Sequence, residues 1–159
     1  MSRLRSKNRW TWSEHPISMN EPETIRTILE KTKTIAVVGL SDKPDRPSFY
    51  VSKYMQQEGY RIIPVHPTVT QVLGEKAYPT LDEAFAAEGK IDLVDVFRAS
   101  EYVPEIVKDV MRLKIPYLWL QEGVCHEEAV NWAEADGILV VMDRCIYKEH
   151  ARLAHALTR

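Results

Sequence analysis

The stretch Thr34-Ile-Ala-Val-Val-Gly39-Leu-Ser41-Asp-Lys43-Pro-Asp-Arg46-Pro-Ser48 decides how the rest of the chain reads. Ile35 to Val38 is short, apolar and mostly β-branched, the pattern of a parallel strand covered on both faces. Gly39 closes the run where the chain must turn, and its missing Cβ lets a ligand come near the backbone. Ser48 has the side chain of a helix N-cap. A helix start presents free N–H groups and the positive end of a dipole, which suits a phosphate. Lys43 and Arg46 add two cations to the same loop. The stretch therefore reads as a strand, a phosphate-holding loop and a helix. The plainer alternative is a βα turn with solvated charges.

Outward from this loop, strand and helix patterns alternate. Before it, Ile25, Ile28 and Leu29 predict a helix over 21–31, with Asn20 as N-cap and Pro22 in the first turn. After it, Phe49, Val51, Tyr54 and Met55 stripe a helix over 48–58 that Gly59 ends. A strand from Tyr60 to Val65 follows, stopped by His66-Pro67. A polar connector with Gly74 leads to a short helix, Leu81 to Ala87, which Thr80 caps and Gly89 stops. The remaining strands are Ile91 to Phe97, Tyr117 to Leu120 and Ile138 to Met142. Helices from near Ser100, over 126–135 and over 147–157 come between and after them. Such alternation predicts an α/β fold: a Rossmann-like, doubly wound sheet of about five parallel strands with helices on both faces. Ligands of such sheets sit beyond the carboxyl ends of the strands, where the strand order switches. That rule selects 39–48, 64–68, 97–100, 121–125 and 143–146.

Composition narrows the function. A chain of 159 residues reads as one domain, 21–159, preceded by a basic arm over 1–20 that carries Arg3, Arg5, Lys7 and Arg9. A net charge of −2 gives no general pull toward nucleic acid or anionic membrane. No apolar run approaches the roughly 20 residues of a membrane span. The two cysteines, Cys125 and Cys145, form no C-x-x-C and read as reduced thiols in the cytoplasm. The histidines show no metal-ligand spacing, and His150 and His155 fall on a polar helix.

The strand ends carry the chemistry. A dinucleotide fold with G-x-G-x-x-G would need glycines where Ser41 and Pro44 stand, and an acid for the ribose where His66-Pro67 stands. NAD is therefore disfavoured, and a ligand bearing a ribose phosphate fits more easily. Phe97-Arg98 can pack on adenine and pair with phosphate. Glu122 is a candidate acid or base without an evident partner. Cys125 lies near a helix start, where a dipole lowers a thiol pKa, and so could form a mixed disulfide with a thiol ligand. Asp143 and Arg144 can pair to close the last strand end.

These pieces together resemble the small stand-alone CoA-binding proteins of bacteria and archaea. Their fold is similar to the N-terminal CoA-binding domain of the succinyl-CoA synthetase α subunit. The resemblance rests on Ala36-Val-Val-Gly39-Leu-Ser41 with Arg46-Pro-Ser48, Ile63-Pro-Val-His66-Pro67 and Asp92-Leu-Val-Asp-Val-Phe97-Arg98. Trp119-Leu-Gln121-Glu-Gly123-Val and Val141-Met-Asp143-Arg144-Cys145 with Glu149-His150 complete it. It implies CoA or acyl-CoA as the cofactor, with its phosphates at Gly39, Leu40, Ser41, Lys43, Arg46 and Ser48. It implies adenosine between His66-Pro67 and Phe97-Arg98. The synthetases' second domain, with its phosphorylated histidine, has no counterpart in these residues, so ligase activity does not carry over. The expectation is a binding protein with a small-molecule nucleotide-like ligand, catalysing no reaction alone, and open to a homodimer or another protein partner. An enzyme acting on a CoA thioester, an NADP-binding sensor and a ligand-free interaction module stand as alternatives.

Overall fold

The β-branched runs do form one parallel sheet. The computed structural model describes residues 19–154; most of the basic arm, and His155, lie outside them. In chain order the elements begin with α1 (Pro22–Lys31), β1 (Thr34–Val38), α2 (Pro47–Gln57) and β2 (Arg61–Val65). A small hairpin follows, β3 (Gln71–Val72) and β4 (Glu75–Lys76), then α3 (Leu81–Glu88) and β5 (Leu93–Val96). A 3-10 turn (Ser100–Tyr102) leads into α4 (Val103–Arg112), then β6 (Tyr117–Leu120), α5 (Glu127–Ala135), β7 (Leu139–Val141) and α6 (Ile146–Leu153).

The sheet order is β2-β1-β5-β6-β7, and every neighbouring pair is parallel. The chain therefore winds outward from β1 in one direction and from β5 in the other. In register, Val38 faces Val96, so Gly39 and Phe97 emerge side by side at the switch. Pro64 sits in β2, an edge strand, where its missing N–H breaks no ladder.

Period-two alternation divides the sheet's side chains. Ala36, Val38, Val94, Val96, Leu118 and Val140 face α3, α4 and α5. Ile35, Val37, Leu93, Trp119 and Val141 face α1, α2 and α6. Each fully buried side chain of this size contributes about 1.5–3 kcal/mol of apolar transfer, which the ordering of the chain offsets in large part.

Three local expectations change and one holds. Asn20 does not cap α1: Glu21 holds the N-cap place, and its side chain makes no capping hydrogen bond. Asn20 instead has a φ of 65° and spans to Met142, accepting from its N–H at 2.7 Å and donating to its C=O at 2.9 Å. Ser48 is not the N-cap of α2, because Pro47 occupies the first turn and Arg46 the cap. The polar connector contains the β3–β4 hairpin, turned by Leu73 and Gly74, both at positive φ. Thr80 does cap α3, its Oγ1 accepting from Glu83 N–H at 3.1 Å, and Gly89 ends that helix at φ 82°.

Candidate functional site

The switch in strand order opens a cleft of about 770 Å³ at the carboxyl ends of β1 and β5. Gly39 forms its floor with φ 92°, and a Cβ there would stand 2.5 Å from the carbonyl oxygen of Phe97. The glycine is thus required by the close approach of β5, before any ligand enters the argument. Gly39 N–H donates to Val65 C=O at 2.8 Å, and Phe97 N–H donates to Val38 C=O at 2.9 Å. These bonds fix both strand ends as the rigid base of the cleft. Leu40 departs from the expected set, since its side chain is fully buried in the core beneath α1, α2 and α6.

The loop over this base is held by its own serines. Ser48 Oγ accepts from Ser41 N–H at 3.0 Å, and Ser41 Oγ accepts from Lys43 N–H at 3.0 Å. Arg46, extended at φ −83°, precedes α2 without a side-chain cap, and the first turn carries no acid. The helix end therefore keeps its positive character toward the cleft. Lys43 and Arg46 line the cleft and, among the described residues, have no carboxylate at ion-pair distance. Asp42 stands in the same lining as the one opposing charge. An anion larger than a single carboxylate has here two cations and a helix N-terminus to meet it.

The opposite wall is the turn after β2. His66 Nδ1 accepts from the N–H groups of Thr68 at 3.1 Å and Val69 at 3.2 Å, so its ring braces the turn. Pro67 follows it in the lining. Phe97 and Arg98 close the third side, with the Arg98 guanidinium 4.1 Å over the Tyr102 ring. Of the ten positions singled out in the sequence, all but Leu40 border this one cleft.

A second hollow, about 940 Å³, lies on the other side of Pro47, Phe97 and Arg98, between α2 and α6. Val51, Val124, Tyr147 and Ala151 supply much of its wall. Gln121 is the buried polar residue of that lining. Its Nε2 donates to Asp95 Oδ1 at 2.6 Å, and its Oε1 accepts from Ile146 N–H at 3.3 Å. Asp95 is buried in the middle of β5, and desolvation pushes its carboxyl up to about 7 despite the opposing Gln121 hydrogen bond. This pair ties β5 and β6 to the first turn of α6.

Several sequence expectations at these strand ends are corrected. Cys125 is exposed at the start of α5, and burial together with Asp143 and Glu127 pushes its thiol pKa up rather than down. Desolvation is the larger cause, and the two acids add to it. Glu122 has a partner after all, Lys148 Nζ at 3.1 Å. Asp143 and Arg144 do not pair: Asp143 Oδ1 accepts from Gly123 N–H at 2.7 Å, and Arg144 faces Glu149 at 3.9 Å. His150 is buried rather than on a polar face, its Nδ1 2.9 Å from Tyr54 OH. Cys145, at the N-terminal end of α6, also borders the second hollow. Among the described residues no cluster of His, Cys, Asp or Glu is arranged to hold a metal ion. No helix there is long and apolar enough to cross a membrane.

Comparison with known proteins agrees with this architecture. The chain is 46% identical over 135 residues to YneT of Bacillus subtilis (strain 168), covering 85% of this chain and 94% of that one. A solved protein from Pyrococcus horikoshii OT3 is similar at 35% identity and a TM-score of 0.79, over 91% of this chain and 99% of the other. A dinucleotide-forming acetyl-coenzyme A synthetase from Ca. Korarchaeum cryptofilum shares the fold alone, at 21% identity and a TM-score of 0.62, over 72% of this chain and 27% of that one. The family model described as CoA binding domain matches residues 33–151. On that match and the relatives' extent, this chain belongs to the CoA binding domain family.

Proposed function

We propose that this protein binds CoA or an acyl-CoA in the cleft at the ends of β1 and β5, and catalyses no reaction by itself. One observation carries the reading: Lys43 and Arg46 stand beside the uncapped N-terminus of α2 with no carboxylate at ion-pair distance among the described residues. CoA offers a diphosphate and a ribose phosphate, a polyanion matched to that grouping. In this reading the backbone after Gly39 and Ser41 lies along the phosphates, and Ser48 holds the loop in place. The adenosine lies between the His66-Pro67 turn and Phe97-Arg98. The pantetheine arm leaves past Pro47 and Phe97 toward Gln121. Cytosolic residence accords with two cysteines that are both free.

Isothermal titration of the full chain with CoA tests this. Saturable binding is expected, weakening as salt rises because the contacts are ionic. The double change Lys43→Gln with Arg46→Gln is expected to weaken it about tenfold or more, roughly 1.4 kcal/mol, while the melting temperature of the free protein stays within error. No binding heat and no thermal stabilisation at millimolar CoA would refute the proposal. An NADP-binding sensor would instead bind NADP in preference to CoA, and an interaction module would bind neither.

The enzymatic alternative would run through Glu122 or Cys125. The Lys148 ion pair and the raised Cys125 thiol both weigh against it. Thioester turnover that Glu122→Gln or Cys125→Ser abolishes would overturn the non-catalytic half of the reading.

A further inference from the structure

The two hollows share Pro47, Phe97 and Arg98, so a ligand lying in the first can pass into the second without leaving the surface of the protein. Their chemistry differs. In the cleft Lys43 and Arg46 form no ion pair among the described residues. In the groove between α2 and α6 each helix cation is already matched: Lys148 Nζ lies 3.1 Å from Glu122, and Arg152 Nη1 lies 2.8 Å from the buried Glu149. The rest of the wall includes Tyr50, Val51, Val124, Tyr147 and Ala151. At about 940 Å³ the groove has the capacity of a small-molecule site. Gln121 at its base is fully committed in direction, donating to Asp95 and accepting from Ile146, so the floor is rigid.

A groove with an apolar wall, its helix cations paired and Arg98 stacked on the Tyr102 ring, gains little from a second anion and much from a hydrocarbon. We propose that this groove holds the acyl group of a CoA thioester, and that the acyl group is an uncharged aliphatic chain rather than a dicarboxylic one. The inference rests on the reading of the first hollow as the CoA cleft. Within it the carboxylate of a succinyl-type group would meet Glu122 beside the Lys148 that it already pairs with. An alkyl chain would cover Val51, Val124 and Ala151 instead.

Titration calorimetry of the full chain with CoA and with acetyl-, butyryl-, hexanoyl-, octanoyl- and succinyl-CoA tests this. Affinity is expected to rise roughly fourfold per buried methylene along the unbranched series, until the chain reaches solvent. Succinyl-CoA is expected to bind at least about tenfold more weakly than butyryl-CoA, whose carbon number it matches. Ala151→Trp, on the exposed side of α6, is expected to flatten the chain-length series. Affinity independent of chain length while CoA itself binds would overturn this inference and leave the CoA reading intact. So would succinyl-CoA binding as tightly as butyryl-CoA. No binding of CoA or of any thioester would overturn the CoA reading, and this inference with it.

Discussion

The two faces of the sheet are built differently. The face under α3, α4 and α5 is an unbroken aliphatic layer, with Val94, Val96, Leu118 and Val140 packed on Val107, Ala129 and Ala133. The face under α1, α2 and α6 carries Trp119 and Ile35, but also buried Asp95, Gln121, Glu149 and His150. These polar groups are bonded to one another's neighbourhood rather than scattered. Asp95 and Gln121 hold the start of α6, His150 meets Tyr54 of α2, and Glu149 gathers Arg152 and Arg144. One face is organised for stability alone. The other spends some of its burial on fixing α6, the helix that walls the second hollow.

That contrast can be broken by substitution. Leu118→Ala on the aliphatic face should cost the most, about 2–5 kcal/mol, because the side chain is fully buried. Urea unfolding should show that loss unchanged between pH 5 and pH 8, and a pH-dependent loss would contradict an apolar layer. Asp95→Asn on the other face should act in the opposite direction and depend on pH. The folded carboxyl titrates near 7 against a usual 3.8, so the folded state binds the proton more tightly than the unfolded chain. Stability from this group is therefore full at low pH and is lost as pH climbs from about 4 to about 7. The asparagine keeps the acceptor for Gln121 and removes the charge. It should stabilise the protein by roughly 2–4 kcal/mol at pH 8 and by almost nothing at pH 4. A gain that is equal at both pH values would show that Asp95 is not the group that titrates. The smallest effect should come from Thr80→Ala, which removes only the α3 cap and should cost about 1 kcal/mol at either pH; thermal melts would measure it.

The aliphatic face was legible in the sequence, since alternation and helical stripes survive wherever one side chain in two or four is apolar. The same logic explains the cleft. Gly39, His66-Pro67 and Phe97-Arg98 each follow a readable strand, and strand ends converge by topology. The second hollow was harder to see. Val51, Val124 and Tyr147 belong to three distant elements, and no local period joins them. Asp95 inside a strand reads as a solvent-facing residue until both faces are known to be covered. The β3–β4 hairpin has strands of two residues, too short to show alternation, and its turn places a leucine at φ 55° where glycine or asparagine would be the usual signal. Ser48 has a cap's side chain but not its place, because Pro47 starts the helix one residue earlier and the hydroxyl serves Ser41 instead.

Asn20 lines neither hollow and acts at the rim of the sheet. Its amide meets the N–H and the C=O of Met142 together, as a peptide group on an adjoining strand would. At the far edge of the sheet, Tyr78 does the same for β2, donating to Pro64 C=O and accepting from His66 N–H. Both rims are thus partly occupied by the chain itself, and Pro64 removes a further donor from one of them. Open rims are where sheets from separate molecules recruit each other into fibrils. With both rims partly occupied in this way, edge-to-edge pairing between copies is disfavoured.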